Sequence, residues 1–113
     1  MRKQIIEIDK IKFPTKKSEV EVSYDIQNGI KSNTVGSIII NEKNEILDGA
    51  HRFAEAKING EKNISTIRIE QSVFENMRED ELNQIGVNIE SKNLSIRNGE
   101  EFERFMDNNY FNV

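Results

Sequence analysis

The residues with the greatest capacity for chemistry stand together at Asp48-Gly49-Ala50-His51-Arg52. Ile46-Leu47 leads into them, and Ala50, Phe53, Ala54 and Ile58 follow at helical spacing, so the segment reads as a strand passing through a glycine directly into a helix. The first amides of a helix lack partners within it and carry the positive end of its dipole, which suits an anion. Gly49 lets a ligand approach the backbone without a Cβ in the way. His51 and Arg52 lie on the same first turn, where a guanidinium can grip a phosphate through two hydrogen bonds. Asp48 can cap the amides, or hold a ligand hydroxyl or a metal-bound water. An Asp-Gly turn also opens many helices that bind nothing, so the surrounding elements have to carry the distinction.

Those elements follow from periodicity. Residues 4–13 read as a strand, with Ile6 and Ile8 on one face and Ile11 and Phe13 continuing after a shift of phase. Pro14 to Ser18 form a loop, and Val22, Ile26 and Ile30 predict a short helix from Glu19 that closes near Gly29. Val35 to Ile40 is a continuous apolar run, the mark of a strand buried on both faces, and a loop through Asn41 to Glu45 returns it as a hairpin into Ile46-Leu47. After the helix that begins near Ala50 and ends at Gly60, a strand runs from Asn63 to Glu70. Ser72 and Glu75 predict a capping box that opens a helix carrying Val73, Met77, Leu82 and Ile85, and Gly86 ends it. Residues 87–97 admit a short strand through Val87 and Ile89, and a last helix is expected from Asn98, with Phe102, Phe105 and Met106 as its apolar stripe. The expectation is a single α/β (α+β) domain over 1–113 with a mixed sheet and flanking helices: a core over 4–70 and a C-terminal helical extension over 71–113.

Composition excludes several functions. The chain of 113 residues has no cysteine, which removes disulfides, thiolate metal sites and cysteine nucleophiles, and one histidine cannot build a histidine-rich metal centre. No metal ligands are therefore assigned. No apolar run approaches the ~20 residues that span a bilayer, and Glu7 and Asp9 break up the one stretch resembling a signal peptide. A cytoplasmic protein without membrane contact is the expectation. The formal charge of −4 is unevenly spread: residues 1–17 hold six basic and two acidic side chains, residues 70–113 four basic and ten acidic. Such a balance argues against wholesale binding to a phosphate backbone and leaves at most local nucleic-acid contact by the basic start. The acidic segment 70–113 could face a basic protein partner, or simply be a set of solvated helix faces.

The run Asp48-Gly49-Ala50-His51-Arg52-Phe53-Ala54-Glu55-Ala56-Lys57, with Gly60 and the strand Ile64 to Ile69 beyond it, resembles the core motif of the ParB/sulfiredoxin-like superfamily. An N-terminal strand, a helix near Ile26 to Gly29 and a hairpin strand at Ser37 to Ile40 occur in the family's order, so the resemblance covers residues 4–70. It implies that the Gly-x-His-Arg turn, Gly49, Ala50, His51 and Arg52, binds nucleotide phosphates, with Ser37 and Asn41 as neighbours. Sulfiredoxins place a cysteine before the His-Arg pair. Here that residue is Ala50, which excludes their chemistry. ParB proteins bind and hydrolyse CTP and carry a helix-turn-helix domain downstream, for which this chain is expected to be too short. Free-serine kinase relatives have Asp-Gly-His-His-Arg, from which this chain departs only at Ala50. They use a carboxylate base from the N-terminal helix region, where Glu19, Glu21 and Asp25 stand. The resemblance thus implies a nucleoside tri- or diphosphate with Mg2+, held for hydrolysis or for phosphoryl transfer to a small molecule, with Asp48, His51 and Glu21 as the catalytic candidates. The contrasting expectation is a binding or inhibitory module of the phage or mobile-element type, without catalysis, whose acidic face meets a basic, nucleic-acid-handling protein.

Overall fold

The computed structural model describes residues 2–32, 36–87 and 95–111. Four strands, β1 (Lys3–Glu7), β2 (Ile38–Ile40), β3 (Ile46–Asp48) and β4 (Asn63–Arg68), form one sheet in the order β1-β4-β2-β3. β1 runs antiparallel to β4, β4 parallel to β2, and β2 antiparallel to β3, so the sheet is mixed as expected. Among the described residues five α-helices flank it: α1 (Lys16–Gln27), α2 (Ala50–Ile58), α3 (Gln71–Glu75), α4 (Glu79–Gln84) and α5 (Glu100–Met106).

The isoleucine run explains why two cores form. Successive side chains of a strand point to opposite faces. Ile38 and Ile40 therefore join Ile8, Ile46, Phe53 and Ile64 on one side, where α2 packs, while Ile39 joins Ile67, Ile69 and Val87 on the other. On that second face Phe74, Met77, Leu82 and Ile85 of the α3–α4 region close over the sheet. The strand is buried on both faces, as its uninterrupted apolarity predicts.

Several boundaries differ from the sequence reading, each for a local reason. The phase shift within residues 4–13 is a 3-10 turn at Ile8–Lys10, which lets both Ile8 and Ile11 reach the core. Helix α1 starts three residues before Glu19, because the Thr15 hydroxyl accepts the Ser18 N–H at 3.0 Å and caps it. Its end is close to that expected. Gly29, at φ +87°, lets its own N–H reach the Ile26 carbonyl while the Ile30 N–H reaches that of Asp25. The helix expected from Ser72 is two helices, and Ser72 lies inside the first rather than capping it. The Ser72 carbonyl instead accepts the Asn76 side-chain amide at 2.7 Å, where α3 stops. Val73 is consequently half exposed, and Phe74 takes the inward position. The strand considered through Val87 and Ile89 lies largely outside the described residues, although Val87 itself is buried. The final helix begins at Glu100 and continues as a π-helical turn, Asp107–Phe111, with Phe102 and Phe105 against Tyr24 of α1 at ring-centroid distances of 5.0 and 5.2 Å.

The start of α3 is held from the hairpin. The Glu42 carboxylate accepts the Gln71 N–H at 2.9 Å, and this bond, ahead of its own backbone N–H, holds the carboxyl below its ordinary value of 4.5. A carboxyl whose pKa is lower folded than unfolded stabilises the fold above the unfolded value and loses that contribution as pH falls through the folded one. The stability difference between wild type and Glu42→Gln is therefore expected to be larger at pH 7 than well below pH 4.5. Urea midpoints measured at the two pH values check this, and equal differences would mean that the carboxylate does not hold the helix.

Candidate functional site

Strand β3 delivers Asp48 to the turn, Gly49 makes it, and α2 begins at Ala50. Gly49 has φ +91°, a conformation that side chains disfavour. A Cβ placed there would also stand 2.7 Å from Ile38 Cγ2 and 3.2 Å from Ile38 Cα. The close approach that glycine permits here is thus to strand β2. It brings the start of α2 down onto the sheet and sets where His51 and Arg52 emerge.

His51 is not isolated. Its Nε2 lies 2.8 Å from Asp25 Oδ2, and Asp25, on α1, is completely buried. The same carboxylate accepts from Arg97 Nε at 2.9 Å through Oδ1 and from the other guanidinium arm through Oδ2. Arg97 also reaches Glu21 Oε2 at 3.4 Å. Asp25 is therefore the hub of a network joining α1, the first turn of α2 and the 3-10 turn Ser95–Arg97. The Arg97 guanidinium is pushed above its ordinary value, first by its hydrogen bond to Asp25 and against the opposing effect of burial. It stays charged at any working pH. A buried carboxylate needs such donors, since desolvation without them is costly.

The network sorts the three acids of the N-terminal helix. Glu21 and Asp25 are four residues apart and share a helix face, whereas Glu19 lies off that face and pairs with Lys16 at 3.3 Å in solvent. Glu21 thus belongs to the cluster through Arg97, while Asp25 makes the direct contact to His51. The i, i+4 spacing in the sequence could have singled out this pair. Arg97 was missed altogether, because it lies 72 residues from Asp25 with no motif around it.

The remaining candidates have partners elsewhere. The Ser37 hydroxyl is 2.7 Å from that of Ser65 on β4. Asn41 organises the hairpin: its Oδ1 accepts the N–H groups of Lys43 and Glu45, and its amide donates to Glu45 and Gln71. Arg52, on the first turn of α2, pairs with Glu61 at 3.5 Å, the outer limit of a hydrogen bond. Among the described residues no group of three histidine or acidic side chains is placed to hold a metal ion, and no helix is long and apolar enough to cross a membrane.

Fold and site together define a mixed α/β domain with a buried carboxylate–histidine pair at a strand-to-helix turn. No family model matches the chain, and no curated protein matches it. Among solved structures it is similar to the C2221 form of a Pnob8-like ParB-N domain, with 14% sequence identity and a TM-score of 0.41. The match covers 66% of this chain and 32% of that one, so it takes in about a third of the solved chain.

Proposed function

We propose that the turn from Asp48 to Arg52 is a nucleotide site whose phosphates rest on the first turn of α2. The observation that carries this reading is the 2.8 Å contact between His51 Nε2 and buried Asp25. A carboxylate behind an imidazole accepts its Nε2–H, fixes the ring and leaves Nδ1 as the nitrogen available to a ligand. Protonated, His51 donates from Nδ1 to a phosphate oxygen. Neutral, it can take a proton there from an attacking hydroxyl or water. Arg52 is the phosphate clamp, because its long contact to Glu61 is readily exchanged for a doubly charged group.

Magnesium would arrive with the phosphates, since it is commonly held by one or two carboxylates plus phosphate oxygens rather than by a protein cage. Asp48, at the end of β3, is the carboxylate beside the turn and fits that role. The ion would neutralise charge on the phosphates during hydrolysis or transfer. Glu21 contributes by holding Arg97 against Asp25, and so acts on His51 through the network.

A second reading is supported by the ion pairs themselves. Asp25 is engaged by both His51 and Arg97, which makes the cluster an effective clasp between α1 and α2 without any ligand. The chain would then be a binding module, and the exposed Glu79 and Asp80 at the start of α4 offer an acidic face to a basic protein.

A thermal-shift panel of ATP, ADP, CTP, GTP and pyrophosphate, each with and without Mg2+, separates the two. A ligand at 100 times its dissociation constant is expected to add about 2.7 kcal/mol. Arg52→Ala is expected to weaken that binding roughly tenfold or more while moving the melting point of the free protein little, because a partly exposed ion pair contributes only about 0–1 kcal/mol. A flat panel, or a shift that survives both Arg52→Ala and His51→Ala, would exclude this turn as the site.

A further inference from the structure

Strand β1 is an edge of the sheet, paired with β4 and with no strand on its other side among the described residues. The Ile8 N–H bonds the Lys62 carbonyl at 2.9 Å, and the Thr66 hydroxyl reaches the Gln4 carbonyl, so the even-numbered residues direct their backbone groups towards β4. Antiparallel pairing alternates, and the N–H and C=O groups of Lys3, Ile5 and Glu7 therefore face the open side. The side chains of these three share one face of the sheet, and all three are exposed. Ile5, 71% exposed, is the most open of the large apolar side chains among the described residues.

The strand is electrically polar along its length. Arg2 and Lys3 make its first end basic. Glu7 makes its last end acidic, beside a concavity of about 400 Å3 that is lined by Glu7, Asp9, Glu61, Lys62 and Asn63. Lys3 and Glu7 stand two residues either side of Ile5. We infer that β1 is a self-association edge, pairing antiparallel with β1 of a second copy of this chain about a two-fold axis through Ile5.

That register satisfies every outward group at once. Ile5 meets Ile5 on the axis, Lys3 meets Glu7 of the second copy on either side, and the basic end of each strand lies against the acidic concavity of the other. Parallel pairing in register would set lysine against lysine and glutamate against glutamate. A two-residue slip puts Ile5 opposite a charge, and a one-residue slip turns the side chains to opposite faces. Lysines usually guard an edge strand against pairing. Here Glu7 cancels that guard, but only for a second copy in this orientation. Two five-residue strands bury little area, so the dimer is a weak, concentration-dependent one.

Sedimentation velocity of the whole chain from micromolar to millimolar concentration tests this. A monomer–dimer equilibrium is expected, with Lys3→Glu and Glu7→Lys each raising the dissociation constant about tenfold or more, since each change occurs twice per dimer. The double variant Lys3→Glu/Glu7→Lys re-forms both cross-copy pairs with the signs exchanged and is expected to dimerise as the wild type does. Ile5→Lys is expected to be monomeric throughout with an unchanged melting point, because the side chain is exposed in the monomer. The inference is overturned by a wild type that stays monomeric at every concentration. It is equally overturned by a dimer indifferent to the single reversals, or by a double reversal that fails to restore association.

Discussion

Replacing Asp25 with alanine is expected to destabilise the free protein by about 2–4 kcal/mol, a fall of roughly 10 °C in melting temperature for a chain of this size. The carboxylate is fully buried and accepts from both His51 and Arg97. Its removal leaves a guanidinium and an imidazole facing a small cavity, with Glu21 as the remaining acid that pairs with the guanidinium among the described residues. The figure sits below that for a wholly buried ion pair because the side chains of His51 and Arg97 remain 19% and 23% exposed and recover some hydration. Asp25→Asn keeps the volume but offers an N–H where an acceptor is needed, so it is expected to lose part of the same stability. Equilibrium urea unfolding measures both. The chain has a single histidine, which makes a second readout unambiguous. In the wild type the nitrogen-15 shifts of the neutral imidazole should report a proton on Nε2, and in Asp25→Ala that preference should fade. A change in stability below about 0.5 kcal/mol, the ordinary range of a surface substitution, together with an unchanged tautomer, would mean that the network does not form in solution.

What the sequence makes legible here is what local patterning encodes. Ile38-Ile39-Ile40 announces a strand between two cores, because no polar residue interrupts it to face water. The Asp48-Gly49 step announces a turn into a helix; of the stripe expected along it Phe53 is buried, but Ile58 is 68% exposed and Ala56 takes the inward position instead. The errors arise where a distant residue decides a local question. The Gln71 amide is captured by Glu42, 29 residues earlier, so α3 starts there and not at a serine cap. Arg97 becomes part of the site by meeting Asp25 across 72 residues, and no short-range signal marks it. Glu21 and Asp25 were both visible as candidates, but choosing between them required knowing which one α2 approaches. It is Asp25 that meets His51 and lies inside, whereas Glu21 keeps 22% of its side chain in solvent.

Gly49→Ala is expected to cost about 3–4 kcal/mol and to disturb the turn itself, for two separable reasons. A left-handed residue with a Cβ costs roughly 1–2 kcal/mol in backbone conformation alone, and Gly49 sits at φ +91°. The added methyl would also stand 2.7 Å from Ile38 Cγ2, 3.0 Å from its Cβ and 3.2 Å from its Cα. Rotating the isoleucine can clear the first contact but not the other two, because the Cα and the Cβ attached to it are fixed by the backbone of a strand hydrogen-bonded on both sides. Either β2 or the start of α2 must therefore move. Since His51 lies two residues beyond the glycine, the shift is expected to lengthen its contact with Asp25. Combining Gly49→Ala with Ile38→Ala divides the cost: truncation removes the Cγ2 clash, so the double variant should be more stable than the sum of the two single effects by about 1 kcal/mol, with the conformational part remaining. Urea unfolding of the four proteins provides the cycle, and the His51 imidazole shifts report whether the turn has moved. Strict additivity would show that Ile38 does not press on the turn. A stable Gly49→Ala protein with unaltered histidine shifts would show that the left-handed conformation is not what positions the site.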